Sequence, residues 1–142
     1  MLINAETVKD VAKKIHSPEE LEKFYANGFK GVLKIPDYKK SPQETLDDKN
    51  GDCKDFAALT QAILNEISIH GEVVYIRFTE DKFGHAICVW KEGDYYNYFD
   101  VVDLKKTKYT SVQDVVDNAY FNVECCTACK KRMDMETTKC VK

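Results

Sequence analysis

The chain is 142 residues and 16.3 kDa, a length that suits one compact domain over residues 1–142 with an ordinary hydrophobic core. Hydrophobic residues make up 44% and charged residues 32%, which excludes a disordered chain, a collagen-like repeat and a coiled coil. A net charge of −3 offers no basic field for nucleic acid, and no apolar run approaches the roughly 18 residues of a membrane span.

The first residues mix Glu6, Lys9, Asp10, Lys13 and Lys14 among apolar ones, unlike a secretory signal, so the expected location is the cytoplasm. Val8, Val11, Ala12 and Ile15 carry helical spacing over 6–15. Ser17 and Pro18 open a second helix, with Glu20 placed to close a capping box and Asn27-Gly28 to stop it. Residues 31–37 read as a short extended piece, and Ser41-Pro42-Gln43-Glu44 opens a brief helix by the same logic. The strongest helix starts at Gly51-Asp52-Cys53, capped by Asp52 and Asp55. Its stripe is Phe56, Leu59, Ile63 and Ile67, and Gly71 is placed to end it.

The period then changes. Segments 72–79, 85–91 and 95–102 are β-branched or aromatic and bounded by turn residues, so they read as strands. Helices followed by an antiparallel sheet make an α+β domain, with its core over about 17–104. Ser111 caps one more helix, carrying Val112, Val115, Val116 and Ala119 on one face, and a cysteine-rich tail completes 111–142.

Cys53 falls in the first turn of the strongest helix, where unpaired backbone N–H groups and the helix dipole favour negative charge. That is where a thiolate nucleophile is stabilised, and the same amides can hold an oxyanion. His85, after Gly84 at a strand start, is the imidazole candidate; His16 and His70 sit beside a helix start and a helix end. If Glu92-Gly93 form a two-residue turn, Lys91 faces Asp94 and His85 faces Asp100 across neighbouring strands. Asp100 is then placed to orient the ring, unless a bulge at Gly93 hands that role to Asp103 or Asn97.

Gly51-Asp52-Cys53-Lys54-Asp55-Phe56-Ala57, then Gly84-His85-Ala86, then Phe99-Asp100 resembles the transglutaminase-like superfamily, a circularly permuted relative of papain-type cysteine peptidases. The segment 41–46 is similar to the approach to the nucleophile helix in small bacterial and phage members, and the likeness spans roughly 17–104. It implies Cys53 as thiol nucleophile, His85 as general base and Asp100 as orienting acid, with no cofactor required for catalysis. Such families include cysteine peptidases, glutamine–amine crosslinking acyltransferases, deamidases, amidases and inactive members, so the fold does not select the reaction. The chain departs from the pattern at Trp90, five residues beyond the histidine, and at Val101, where a proline is often found. The Cys53 backbone N–H, with Asn50 or Gln43, is a candidate oxyanion donor.

Cys88 falls on the opposite strand face from His85 and reads as a core thiol, the aromatic run 95–99 as sheet packing, and Lys105, Lys106 and Lys108 as a solvated turn. Cys126 and Cys129 form a zinc-type half-site that Cys125 and Cys140 could complete as a structural tetrathiolate; free thiols and disulfides are the alternatives. The expected activity is a cysteine peptidase or isopeptidase working on a protein or peptide, in the host cytoplasm if phage-encoded. Neither nucleic acid nor membrane is expected as a partner. Transglutamination or deamidation is the second reading, and a catalytically inactive peptide-binding module is the third.

Overall fold

The computed structural model describes residues 6–33, 39–80 and 84–141. Four helices begin where the sequence places a capping side chain: α1 (Val8–Lys14) after Thr7, α2 (Pro18–Tyr25) after Ser17, α3 (Pro42–Asp48) after Ser41, and α4 (Cys53–Glu66) after Asp52. In each, the cap side chain accepts from the backbone N–H three residues on. The reciprocal bond of a capping box forms at Thr7, Ser41 and Asp52. At Ser17 it does not, because Glu20 accepts from the His16 N–H instead. Helix α4 stops at Glu66, earlier than Gly71, as Ser68 turns into the left-handed region at φ 66°. Gly71 serves a close approach, since a Cβ there would lie 3.1 Å from Cys88 Sγ. Within the described part of the expected extended piece, β1 (Lys30–Gly31) pairs in parallel with β2 (Asn50–Gly51); residues 34–38 lie outside the described residues.

The main sheet holds β3 (Glu72–Phe78), β4 (His85–Glu92), β5 (Tyr95–Asp100), β6 (Asp103–Lys105) and β7 (Val123–Cys126) in the order β6-β5-β4-β3-β7, all antiparallel. Alternation divides its side chains between two cores. Cys88, Trp90 and Phe99 face α1, α2 and α4, packing with Leu21, Tyr25, Phe56, Leu59 and Ile63, all fully buried. Each such side chain contributes about 1.5–3 kcal/mol of burial. Tyr25 meets Phe56 and Phe99 edge-on and satisfies its hydroxyl on Thr60 at 2.8 Å. On the other face Val74, Ile76, Ile87, Val89 and Tyr98 pack on Val115 and Val116 of α5 (Val112–Ala119) and on Cys126 and Cys129. No helix among the described residues is long and apolar enough to cross a membrane.

Two expectations of local geometry are corrected. The β4–β5 turn is Gly93-Asp94, not Glu92-Gly93: Glu92 faces Tyr95 and Cys88 faces Phe99, with Gly93 supplying the positive φ of 63°. Continued one step, this register sets Asp100 beside Ile87, two residues from His85. The displacement is even, so His85 and Asp100 keep a common face and become diagonal neighbours.

The second correction is the zinc site. Cys125 is bonded to Cys140 and Cys126 to Cys129, so no four thiolates are available. The reason lies in the strand: Cys125 and Cys126 are consecutive in β7 and point to opposite faces, which keeps their sulfurs from one metal centre. The Cys125–Cys140 bridge closes a loop of 15 residues, worth about 3 kcal/mol, and the Cys126–Cys129 bridge about half that. Replacing Cys125 and Cys140 together with serine is therefore expected to lower unfolding stability by about 3 kcal/mol in a denaturant titration. A wild-type midpoint that is insensitive to reductant would contradict this.

Candidate active site

The site begins with a helix start. Cys53 is the first residue of α4, so its backbone N–H belongs to the amides that have no partner within the helix. The approach is rigid. Asp55 N–H donates to Asp52 Oδ1 at 3.1 Å and Asp52 N–H returns to Asp55 Oδ2 at 3.0 Å, both residues being buried. Lys40 N–H binds the remaining oxygen of Asp55 at 2.9 Å, and Lys54 pairs with Asp52. Gly51 has no room for a side chain: a Cβ would stand 2.8 Å from that of Asp55. These contacts leave the Cys53 side chain half-buried, facing a cavity of about 110 Å³ between α4, β3 and the tail.

His85 opens β4 after Gly84, whose φ is +38° and whose Cβ would fall 2.7 Å from the Ile76 carbonyl oxygen. Only glycine fits that turn. Because His85 stands at a strand end, Cys53 reaches its ring from α4 and Tyr120 reaches it from the end of α5. Its Nε2 lies 2.9 Å from Asp100 Oδ1. An ionised carboxylate can only accept, so Nε2 carries the proton and Nδ1 is left for the Cys53 thiol. Burial pulls the His85 pKa down, but hydrogen bonds and charge attraction from Asp100 and Cys53 outweigh it and raise the value to about 9. Burial would raise Asp100, yet the hydrogen bonds from His85 and Tyr120 and the nearby Lys105 hold it below its usual value. A thiol beside an imidazole that is itself held by a carboxylate can deliver a thiolate to a carbonyl carbon.

The other candidates are occupied or remote. Asp103 and His16 and His70 are exposed, and Asn97 is buried on Glu92 and the Thr107 N–H. Gln43 is no oxyanion donor: its amide ties α3 to the first helix through Val8 N–H, the Glu6 carbonyl and Asp47. Asn50 donates to the Asp48 carbonyl and accepts from Lys40. Cys88 is fully buried, and burial pushes its thiol up to about 12. Glu124, Cys125 and Cys140 cluster within 4.8 Å, but both sulfurs are in the disulfide and Arg77 pairs with Glu124 at 3.1 Å. The residue that sequence reasoning missed is Tyr120, whose hydroxyl donates to Asp100 Oδ2 at 2.6 Å. No spacing or motif announces it.

A family model described as a transglutaminase-like domain matches residues 4–123. The chain belongs to that family. Several solved structures also superpose on it. A protein from Cytophaga hutchinsonii with a provisional cysteine-protease assignment superposes with a TM-score of 0.53 and 18% identity, over 70% of this chain and 40% of its own. LapG of Legionella pneumophila gives 0.55 and 19% in its calcium-bound form, over 82% of this chain and 67% of that one. A further LapG structure gives 0.54 and 16%, over 85% and 81%. The chain thus spans less than half of the Cytophaga protein. At these identities the likeness establishes the fold alone, an α+β core in which helices pack on an antiparallel sheet. No curated protein matches the sequence.

Proposed function

We propose that this transglutaminase-like domain is a cysteine hydrolase acting on an amide bond of a protein or peptide, with Cys53, His85 and Asp100 as its catalytic residues. The observation that carries the reading is the His85 ring, tied through Nε2 to Asp100 at 2.9 Å and lining one cavity with Cys53. In the acylation step Cys53 Sγ bonds to the carbonyl carbon while its proton resides on His85 Nδ1. The carbonyl oxygen takes up the negative charge at the free amides of the α4 start, the Cys53 N–H among them. Collapse breaks the C–N bond, and Nδ1 passes its proton to the leaving amine. Water then attacks the thioester, giving a proton to Nδ1, and the carboxylic acid leaves as the thiol is restored. An amine in place of water would make the same site a transglutaminase, and a glutamine side chain as substrate would make it a deamidase.

Peptide or isopeptide hydrolysis is the preferred outcome, since water needs no second binding site as the acyl acceptor. The paired tail cysteines fit an oxidising compartment better than a reducing cytoplasm.

The test is simple because the disulfides leave Cys53 and Cys88 as the free thiols, and Cys88 is buried. Iodoacetamide applied to the native protein near pH 6 is expected to modify Cys53 rapidly, with Cys88 inert. Profiling against peptide and glutamine–amine substrates, with Cys53→Ala as control, then identifies the reaction. A Cys53 alkylation rate that rises only around pH 8.5, as for an ordinary thiol, would replace the enzyme with a peptide-binding module.

A further inference from the structure

We infer that Tyr120 is a positioning residue for this site: its hydroxyl fixes the rotation of the Asp100 carboxylate and thereby holds His85 with Nδ1 toward the Cys53 thiol. The inference rests on the catalytic reading above and deepens it. The side-chain torsion of an aspartate that turns its carboxylate is broad and roughly two-fold, so a carboxylate bound through one oxygen remains free to swing. Here both oxygens are bound, Oδ1 by His85 Nε2 at 2.9 Å and Oδ2 by the Tyr120 hydroxyl at 2.6 Å. Asp100 ends β5 with its side chain 29% exposed, so water would compete for Oδ2 without the phenol. The strand end is sharply formed, since Val101 turns the chain at φ 55°, an unusual conformation for a β-branched residue.

Tyr120 is well placed for this role. It caps α5, where its backbone N–H donates to the Val116 carbonyl at 3.1 Å. Its ring lies between Phe78, at 6.1 Å, and the His85 ring, at 5.3 Å. Burial and the neighbouring Asp100 charge oppose ionisation of the phenol, so it remains a donor throughout the working range of pH. The titratable and charged groups that bear on the His85–Asp100 pair are Cys53 from α4, Tyr98 from β5, Lys105 from β6 and Tyr120 itself. Of these, Tyr120 bonds directly to Asp100, and Cys53 shares the cavity with His85. The end of α5 therefore supports a triad whose residues lie between 53 and 100.

Tyr120→Phe tests the assignment in the full chain, because it keeps the ring between Phe78 and His85 and removes only the hydroxyl. The His85 imidazole titration, followed by NMR, is expected to move down from the wild-type value toward that of an ordinary histidine. Cys53 alkylation near pH 6 should fall about 10-fold, as when supporting contacts around a reactive group are lost. In an Asp100→Asn background the same substitution should add no further loss, because Tyr120 acts through Asp100. An unchanged or raised His85 midpoint in Tyr120→Phe, or an equal loss in both backgrounds, overturns the inference. The wild-type alkylation profile is the separate arm: if it is that of an ordinary thiol, the catalytic reading fails, whereas the His85 midpoint reports on Tyr120 without any turnover.

Discussion

Replacing His85 with alanine is expected to slow Cys53 alkylation near pH 6 by about 100-fold and to abolish turnover of any amide substrate. The imidazole has two duties in the proposed sequence, holding the thiol proton during attack and returning it to the leaving amine, and among the described residues no other imidazole stands at the site. His16 and His70 are exposed elsewhere, and Lys54, the nearest cation in sequence, is engaged by Asp52. Cys53→Ala should retain the fold and bind substrate without converting it, since the Asp52–Asp55 capping box that builds the helix start does not involve the thiol. The readout is clean. Cys88 is fully buried, with its thiol raised to about 12, and the remaining cysteines are in disulfides. Alkylation that is unaffected by His85→Ala would separate the thiol from the imidazole and remove the basis for the enzyme.

Asp100→Asn is expected to cost about 10⁴-fold in rate while the domain remains folded. The Tyr120 hydroxyl donates to Oδ2, so an asparagine would satisfy it with its carbonyl and turn its NH₂ toward His85. That NH₂ requires Nε2 as an acceptor, which moves the ring proton to Nδ1 and leaves nothing to receive the thiol proton. A stability signature accompanies the loss. The folded His85 pKa, about 9, lies above the ordinary histidine value of 6.5, so this group's stabilisation is complete below about pH 6.5 and disappears as the pH rises through about 9. Asp100 contributes with the opposite sign, its stabilisation being present above its unfolded value and lost on acidification through its lowered folded one. Denaturant titrations at the two ends of the alkaline window should show wild type losing on the order of 1–2 kcal/mol, and Asp100→Asn losing distinctly less. Equal losses would mean that the carboxylate does not hold the ring in solution.

Much of this arrangement is legible in the sequence. Local rules acted at single positions: Ser17, Ser41, Asp52 and Ser111 cap helices because each offers an oxygen to an unpaired N–H three residues on. The stripe Phe56, Leu59 and Ile63 and the three long strands followed from periodicity, and those elements carry Cys53 to a helix start and His85 to a strand start. Parity did the rest. The β4–β5 turn lies one residue beyond the expected Glu92-Gly93, which shifts the pairing by two positions, yet His85 and Asp100 still meet because alternation repeats every two residues.

What the sequence determined by itself was therefore whatever depends on neighbours along the chain: helix starts, strand faces, and the identities of the thiol, the imidazole and the acid that could meet. Tertiary structure decided the rest. Strands β6 and β7 have three and four residues, too few for a period to register, and exist because β5 and β3 offer edges to pair with. The tail cysteines became two bridges rather than a metal site because β7 sends Cys125 and Cys126 to opposite faces and the following loop returns Cys140 to one of them. Gln43 and Asn50 were drawn into joining helices and loops, and Tyr120 was brought from 20 residues away to clamp Asp100. A side chain's hydrogen-bonding capacity is written in its residue type, but its partner is set by which distant element packs beside it, and that choice is made only when the two cores close on the sheet.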